Sequence, residues 1–209
     1  VYSGFANKLS EKTISRKNNC TEFILNFKRG LFSKYAVKSD DLTVSEVKLN
    51  DTSAEKRLTV VFGPNKIKGN SFTVRLNYTL GAEDAFCRKY IEISAEKADN
   101  KLILESIDLE YTDFPSELKS WSIPEQKNSH ISGFLMSVGQ PVYVDSFYFG
   151  CEFPVAYNRI ASGRVVVTSY VGKTLASLTE KGDYISYKSV FGVSENDTFA
   201  TVQKAFFSY

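Results

Sequence analysis

This sequence has little of what most catalytic sites are built from. Its 209 residues include a single histidine, His130, and three cysteines. Neither a Walker A pattern nor a GxGxxG loop occurs, so nucleotide-binding motifs are missing. A Ser-His-Asp or Cys-His centre would have to use His130, and no GxSxG or cysteine signature accompanies it. We therefore predict no catalytic residue in this chain.

The cysteine and hydropathy patterns argue against further classes. Cys20, Cys87 and Cys151 lie far apart and form no CxxC pair, which argues against a zinc site. Reduced, buried thiols are the prediction, and one disulfide with one free thiol is the alternative. No apolar run approaches the ~20 residues needed to cross a bilayer, so we predict no membrane partner. The first four residues are not a signal peptide, but processing could have removed one, which leaves export open.

Charge is balanced rather than clustered. The formal net charge is +2, and lysines and arginines are interleaved with acidic residues along the chain. Nucleic-acid binding requires a concentrated basic surface, so we predict no nucleic-acid partner. We predict no cofactor and no metal, although a structural calcium held by carboxylates and carbonyls stays open.

What the chain does contain is alternating hydrophobicity and many aromatic residues, with 16 Phe and 12 Tyr. Period-two alternation predicts β-strands, and regular strand spacing predicts a large antiparallel β-sandwich (a supersandwich) of about ten strands. The sequence thus predicts an all-β domain over residues 1–196. The predicted strands are 23–27, 42–49 (with a bulge or a face switch), 57–62, 71–80, 85–94, 102–111, 131–136, 143–149, 164–171 and 184–193.

Two non-strand segments are predicted. Gly63-Pro64-Asn65 has the residues typical of a turn. Residues 112–130 are predicted to form a long irregular segment that contains Trp121 and His130. At the end, Asp197-Thr198 can cap a short helix with apolar residues on one face. This pattern stops at Tyr209, and we expect residues 197–209 to be a linker helix towards a further C-terminal domain.

Candidate functional residues are few. Glu152 lies in a hydrophobic stretch ended by Pro154, so we expect a buried or half-buried carboxylate that pairs with a hydrogen-bond donor or takes up a proton. It could pair with Asp145 for glycoside chemistry, but sequence cannot place two carboxylates on one bond. The acidic residues predicted to lie on solvated strand faces are Glu92, Glu105, Asp108 and Glu110. Aromatic residues near loops that could stack on sugar rings are Trp121, Tyr143, Tyr148 and Tyr157.

A resemblance gives these residues a context. The run GQPVYVDSFYFGCEFPVAYN, residues 139–158, resembles a segment of bacterial glycoside hydrolases of the α-galactosidase (melibiase-like) kind. The matching positions are Phe147, Gly150, Glu152, Pro154 and Asn158. The strands around RKYIEIS and LILESIDLE, and the ending that contains Val190–Val193 and Phe206–Tyr209, are similar to the same domains.

The resemblance implies a galactose-mutarotase-like supersandwich that precedes a catalytic barrel absent from this chain. It implies a non-catalytic domain with carbohydrate and an intramolecular catalytic domain as partners, in a secreted or periplasmic enzyme. Glu152, Tyr148 and Asn158 are the expected interface or rim residues. Three alternatives stay open: a free-standing carbohydrate-binding module using Trp121 and tyrosines, a sugar epimerase or lyase using His130 and Glu152, and a structural or adhesion module.

Overall fold

The computed structural model describes residues 4–15, 21–122 and 139–208, and these ranges are mostly β-structure. They contain sixteen strands, one 3-10 turn at Ser39–Asp41 and two α-helices, α1 (Leu175–Thr179) and α2 (Phe199–Phe207). The strands are β1 (Gly4–Asn7), β2 (Lys12–Ser15), β3 (Ile24–Arg29), β4 (Ser33–Lys38), β5 (Val44–Asp51), β6 (Glu55–Ile67), β7 (Asn70–Gly81), β8 (Phe86–Lys97), β9 (Leu102–Asp113), β10 (Ser120–Trp121), β11 (Val142–Val144), β12 (Phe147–Cys151), β13 (Tyr157–Ile160), β14 (Arg164–Thr174), β15 (Tyr184–Ile185) and β16 (Ser189–Val193).

The strands form two large antiparallel sheets and one small hairpin. A nine-stranded sheet has the order β10-β11-β12-β16-β8-β7-β6-β5, with β15 also paired to β8. A five-stranded sheet has the order β13-β14-β9-β3-β4, and β1 pairs with β2. The prediction of an all-β antiparallel sandwich with a short C-terminal helix is therefore confirmed.

The core follows from alternation on the facing strands. Phe72, Val74, Leu76 and Tyr78 all point inward from β7 and are at most 4% exposed, since alternate residues of a strand share one face. They meet Leu25, Phe27, Leu104 and Ile107 of the five-stranded sheet in one hydrophobic cluster. Burial of these side chains on both inner faces holds the two layers together.

Several predicted strand limits are wrong. The Gly63-Pro64-Asn65 trio does not end a strand, because β6 continues through it with an irregular register between Phe62 and Asn65. The run 143–149 is two strands, since Asp145 adopts a φ of 52° and turns the chain between β11 and β12. The run 184–193 is likewise split into β15 and β16, and α1 was not predicted.

The predicted bulge in β5 is confirmed by a register shift between Val44 and Glu46. The predicted C-terminal helix is also confirmed. Helix α2 packs on the nine-stranded sheet through Val202, which is fully buried. Whether residues 197–209 also lead to a further domain stays a prediction. Neither α-helix in the described ranges has the length and hydrophobicity that a membrane-spanning helix requires.

Candidate functional site

The outer face of the five-stranded sheet carries a groove created by two β-irregularities. Strand β9 shifts its register against β3 so that Glu105 is left without a regular partner. Directly beside it, β14 shifts against β9 between Tyr170 and Lys173, where Gly172 adopts a φ of 67°. A bulge bends its strand and re-aims side chains, and positive φ is readily adopted by glycine. The two shifts together open the sheet surface.

The groove has a volume of about 520 Å³. Its lining combines an aromatic ring, two cations and a carboxylate. Tyr170 is 50% exposed, so a face of its ring is available to a ligand. The lining residues are Lys28, Lys34, Ile103, Glu105, Ser106, Tyr170, Val171 and Gly172.

The charges of the groove are only partly matched. Lys28 and Glu105 form an ion pair with an Nζ–Oε1 distance of 3.5 Å and side chains about one-third exposed. Lys34 lies directly opposite Lys28 on the neighbouring strand, so both ammonium groups emerge from the same face. No carboxylate in the described part of the chain lies within ion-pair distance of Lys34.

Next to the groove, a chain of hydrogen bonds fixes the polar side chains of the sheet. Asn26 Nδ2 donates to Ser106 Oγ and to Asp108 Oδ2, both at 3.2 Å. Thr168 Oγ1 donates to Asp108 Oδ1 at 2.6 Å, and Arg159 donates to Thr168 Oγ1 at 2.9 Å. Asp108 is therefore buried and paired, which corrects the prediction of a solvated carboxylate. The network fixes Ser106, the one of its members that lines the groove.

Tyr157 and Asn158 lie on β13, the edge strand of this sheet that pairs with β14. Tyr157 opposes Thr168 and shares the outer face with Tyr170, while the Arg159 guanidinium lies 5.0 Å from its ring centroid. Asn158 points inward, is 3% exposed and donates to the Gln140 carbonyl at 2.8 Å. Of the predicted site residues, Tyr157 alone lies on the groove's sheet face, and Asn158 is not accessible as a rim residue.

Tyr148 and Tyr143 are covered rather than open. They are 1% and 3% exposed, and the ring of Phe206 from α2 meets Tyr148 edge-on with centroids 5.7 Å apart. Burial raises the pKa of each tyrosine to about 12. Trp121 is half-buried and packs on Phe199 of the same helix, with ring centroids 5.8 Å apart. Tyr148 and Tyr143 therefore present no ring face to a sugar, because α2 occupies that side of the sheet.

Glu152 lies near the surface at the end of β12. Its side chain is 28% exposed, and its Oε1 accepts a hydrogen bond from Arg88 Nε at 2.6 Å. The expected donor is therefore an arginine. Asp84 also approaches Arg88, with an N–O distance of 3.6 Å. Asp145 lies elsewhere, beside Lys12 with an N–O distance of 3.8 Å, and His130 lies outside the described residues.

A second polar cluster lies buried between the two sheets. Lys89 is 0% exposed, and its Nζ donates to the Glu22 carbonyl at 2.6 Å and to Glu110 Oε2 at 3.2 Å. Ser189 Oγ donates to Glu110 Oε1 at 2.7 Å, and Tyr78 donates to the Glu22 carboxylate. Glu110 was predicted to be solvated and is 0% exposed. A register shift between Val167 and Thr168 leaves Leu109 unpaired and turns Glu110 inward.

This buried cluster lines neither the groove nor an apolar cleft of about 460 Å³ at the β1–β2 hairpin. It therefore belongs to the architecture, where it joins strands from both sheets. The apolar cleft is bounded by Leu9, Leu80 and Phe191, with Cys87 among its lining residues. Within the described ranges, no group of three or more metal-ligating side chains occurs.

The residues that make the groove were not predicted as site residues. Tyr170 lies in a predicted strand, whereas Lys28 lies just past the predicted strand 23–27 and Lys34 lies on β4, which was not predicted. One signal was present, because an isolated glycine inside a strand pattern, here Gly172, indicates a bulge. The pairing of Lys28 with Lys34 required the register of β3 against β4.

No family model matches this chain, and no curated protein matches it either. By its fold and its groove, the chain is an antiparallel β-sandwich with a polar groove on one sheet that contains a tyrosine.

Proposed function

We propose that this chain is a non-catalytic β-sandwich domain of a carbohydrate-active glycoside hydrolase, and that it binds carbohydrate through the groove beside Tyr170. The observation that carries the proposal is the half-exposed tyrosine ring set among charged and hydroxyl side chains in one groove of about 520 Å³. Sugar recognition uses an apolar ring face together with a few fixed polar groups.

The groove suits binding rather than catalysis. Its single carboxylate, Glu105, is paired with Lys28 at 3.5 Å, whereas glycoside hydrolysis ordinarily requires two carboxyl groups on opposite sides of one bond. Glycoside hydrolysis would thus be the work of a partner domain. That part of the proposal rests on the resemblance of residues 139–158 to α-galactosidase-like enzymes.

Exposed aromatic residues on α2 support a packing role beside the binding role. Phe199 is 41% and Phe207 is 69% exposed, and Phe199 packs against Trp121. Large exposed apolar side chains are typical of interaction surfaces. We propose that this end of the sandwich contacts the catalytic domain. If the gene's reading frame stopped at Tyr209, this part of the proposal would fail.

The binding role is tested by calorimetric titration of the purified chain with galactosides, glucosides and their oligomers, after a glycan-array screen. Tyr170→Ala should weaken binding roughly two- to tenfold, since an aromatic contact contributes about 0.5–1.5 kcal/mol. Tyr170→Phe should retain most of the affinity. Tyr187→Ala is the matched control, because Tyr187 is 47% exposed and lies outside the groove. Absence of binding by the parent chain, or equal binding by Tyr170→Ala, would refute the proposal.

A further inference from the structure

Resting on the proposed function, we infer that the groove selects a sugar that carries an anionic group, either a carboxylate or a sulfate. The ring would lie against Tyr170, and the anion would lie between the ammonium groups of Lys28 and Lys34. This assigns a ligand class to the groove and a specificity role to the two lysines.

The first argument is the charge count in the groove. Two lysines and one glutamate line it, which leaves one positive charge in excess. The single ion pair joins Lys28 to Glu105, and Lys34 has no carboxylate partner among the described residues. An anion bound here would therefore complete the charge balance, whereas a neutral sugar would leave it unchanged.

The second argument is the strand register. Lys28 and Lys34 are directly opposite each other on β3 and β4. Like charges at directly opposed positions of an antiparallel pair destabilise the pair. A bound anion between them relieves this repulsion, so its binding energy includes a contribution that neutral ligands cannot obtain.

The third argument concerns the chemistry of lysine. Arginine would be the stronger bidentate partner for a carboxylate, but the lysine ammonium group is a compact point charge that can bind either a carboxylate or a sulfate. The groove is open to solvent, with Lys28 about one-third exposed and Lys34 exposed. Solvent screening therefore limits the preference to a modest factor and makes it depend on salt.

The test compares matched sugars on the intact chain: galactose, galacturonic acid and galactose 6-sulfate, each as the methyl glycoside. We expect the anionic sugars to bind about two- to fivefold more tightly than galactose at low salt, corresponding to one partly screened ion pair. The difference should shrink at high salt. Lys34→Gln should abolish it, and Glu105→Gln should enlarge it because the competing carboxylate is removed.

The control variant is Lys48→Gln, an exposed lysine on β5 in the other sheet, which should leave every affinity unchanged. Circular dichroism would verify folding, and Lys28→Gln replaces Lys34→Gln if the latter does not fold. Tighter binding of galacturonate alone, or of the sulfate alone, would identify the anion. Equal binding of all three sugars would overturn this inference and leave the proposed function standing. If no sugar binds at all, both are overturned.

Discussion

The buried Lys89 cluster allows a sharp test of how the two sheets are held together. The three protons of the Lys89 ammonium group have acceptors at 2.6, 3.2 and 3.5 Å, namely the Glu22 carbonyl, Glu110 Oε2 and Glu22 Oε2. Replacing Lys89 by methionine keeps a similar length but removes the charge. Glu110 is fully buried and would keep the Ser189 hydroxyl as its hydrogen-bond donor in the cluster.

The expected loss is large because two buried carboxylates, Glu22 and Glu110, would lose their shared counter-ion. Breaking a buried pair from one side costs about 3–5 kcal/mol, a substantial part of the 5–15 kcal/mol typical of a folded domain. The double variant Lys89→Met with Glu110→Gln should recover about 1 kcal/mol or more, since coupled neighbours show interaction energies of about 0.5–3 kcal/mol. The recovery would come from removing one of the two carboxylates that lost their counter-ion, because the double variant restores no contact.

Urea unfolding followed by circular dichroism would measure these changes as shifts in free energy of unfolding. Lys48→Met is the matched control. Its side chain is 67% exposed in an ion pair with Glu46, and its loss should change stability by less than about 0.5 kcal/mol. A Lys89→Met variant within about 1 kcal/mol of the parent, or a double variant no more stable than Lys89→Met, would refute the reasoning.

Two further predictions concern packing and titration. A methyl group at Gly192 would overlap the ring of the buried Tyr148, so Gly192→Ala should cost about 1–3 kcal/mol by overpacking, measured by thermal unfolding; an unchanged Tm would contradict this. Burial raises the pKa of Cys87 and of Cys151 to about 12, so both thiols should resist iodoacetamide at about pH 8.5 until denaturant is added, as read by peptide mass spectrometry. Because the unfolded thiols release their protons near pH 8.5 and the folded ones only near pH 12, their contribution to stability should fall as pH rises through this interval; a pH-independent stability there would count against it.

Of the residues that line the groove, only Glu105 was singled out from the sequence, as a carboxylate on a solvated strand face. Tyr157 was expected near a loop as a sugar-stacking ring, and the resemblance directed attention to residues 139–158, none of which lines the groove. The groove itself was not predictable, because its cations come from β3 and β4 and its tyrosine from β14. Those side chains meet only through strand pairing, and pairing between distant segments leaves little trace in local periodicity.

The sequence by itself determined the class of fold and the inward face of several strands. Parity alone places Phe72, Val74, Leu76 and Tyr78 on one face of their strand, because side chains alternate strictly along a strand. The tertiary structure decided which polar groups are buried. Glu110 has the same sequence context as a solvated strand residue, but one register shift turns it inward to Lys89. Tyr148 was likewise expected to present an exposed ring, but α2 covers it. Burial depends on what packs above a residue and not on its neighbours in the chain.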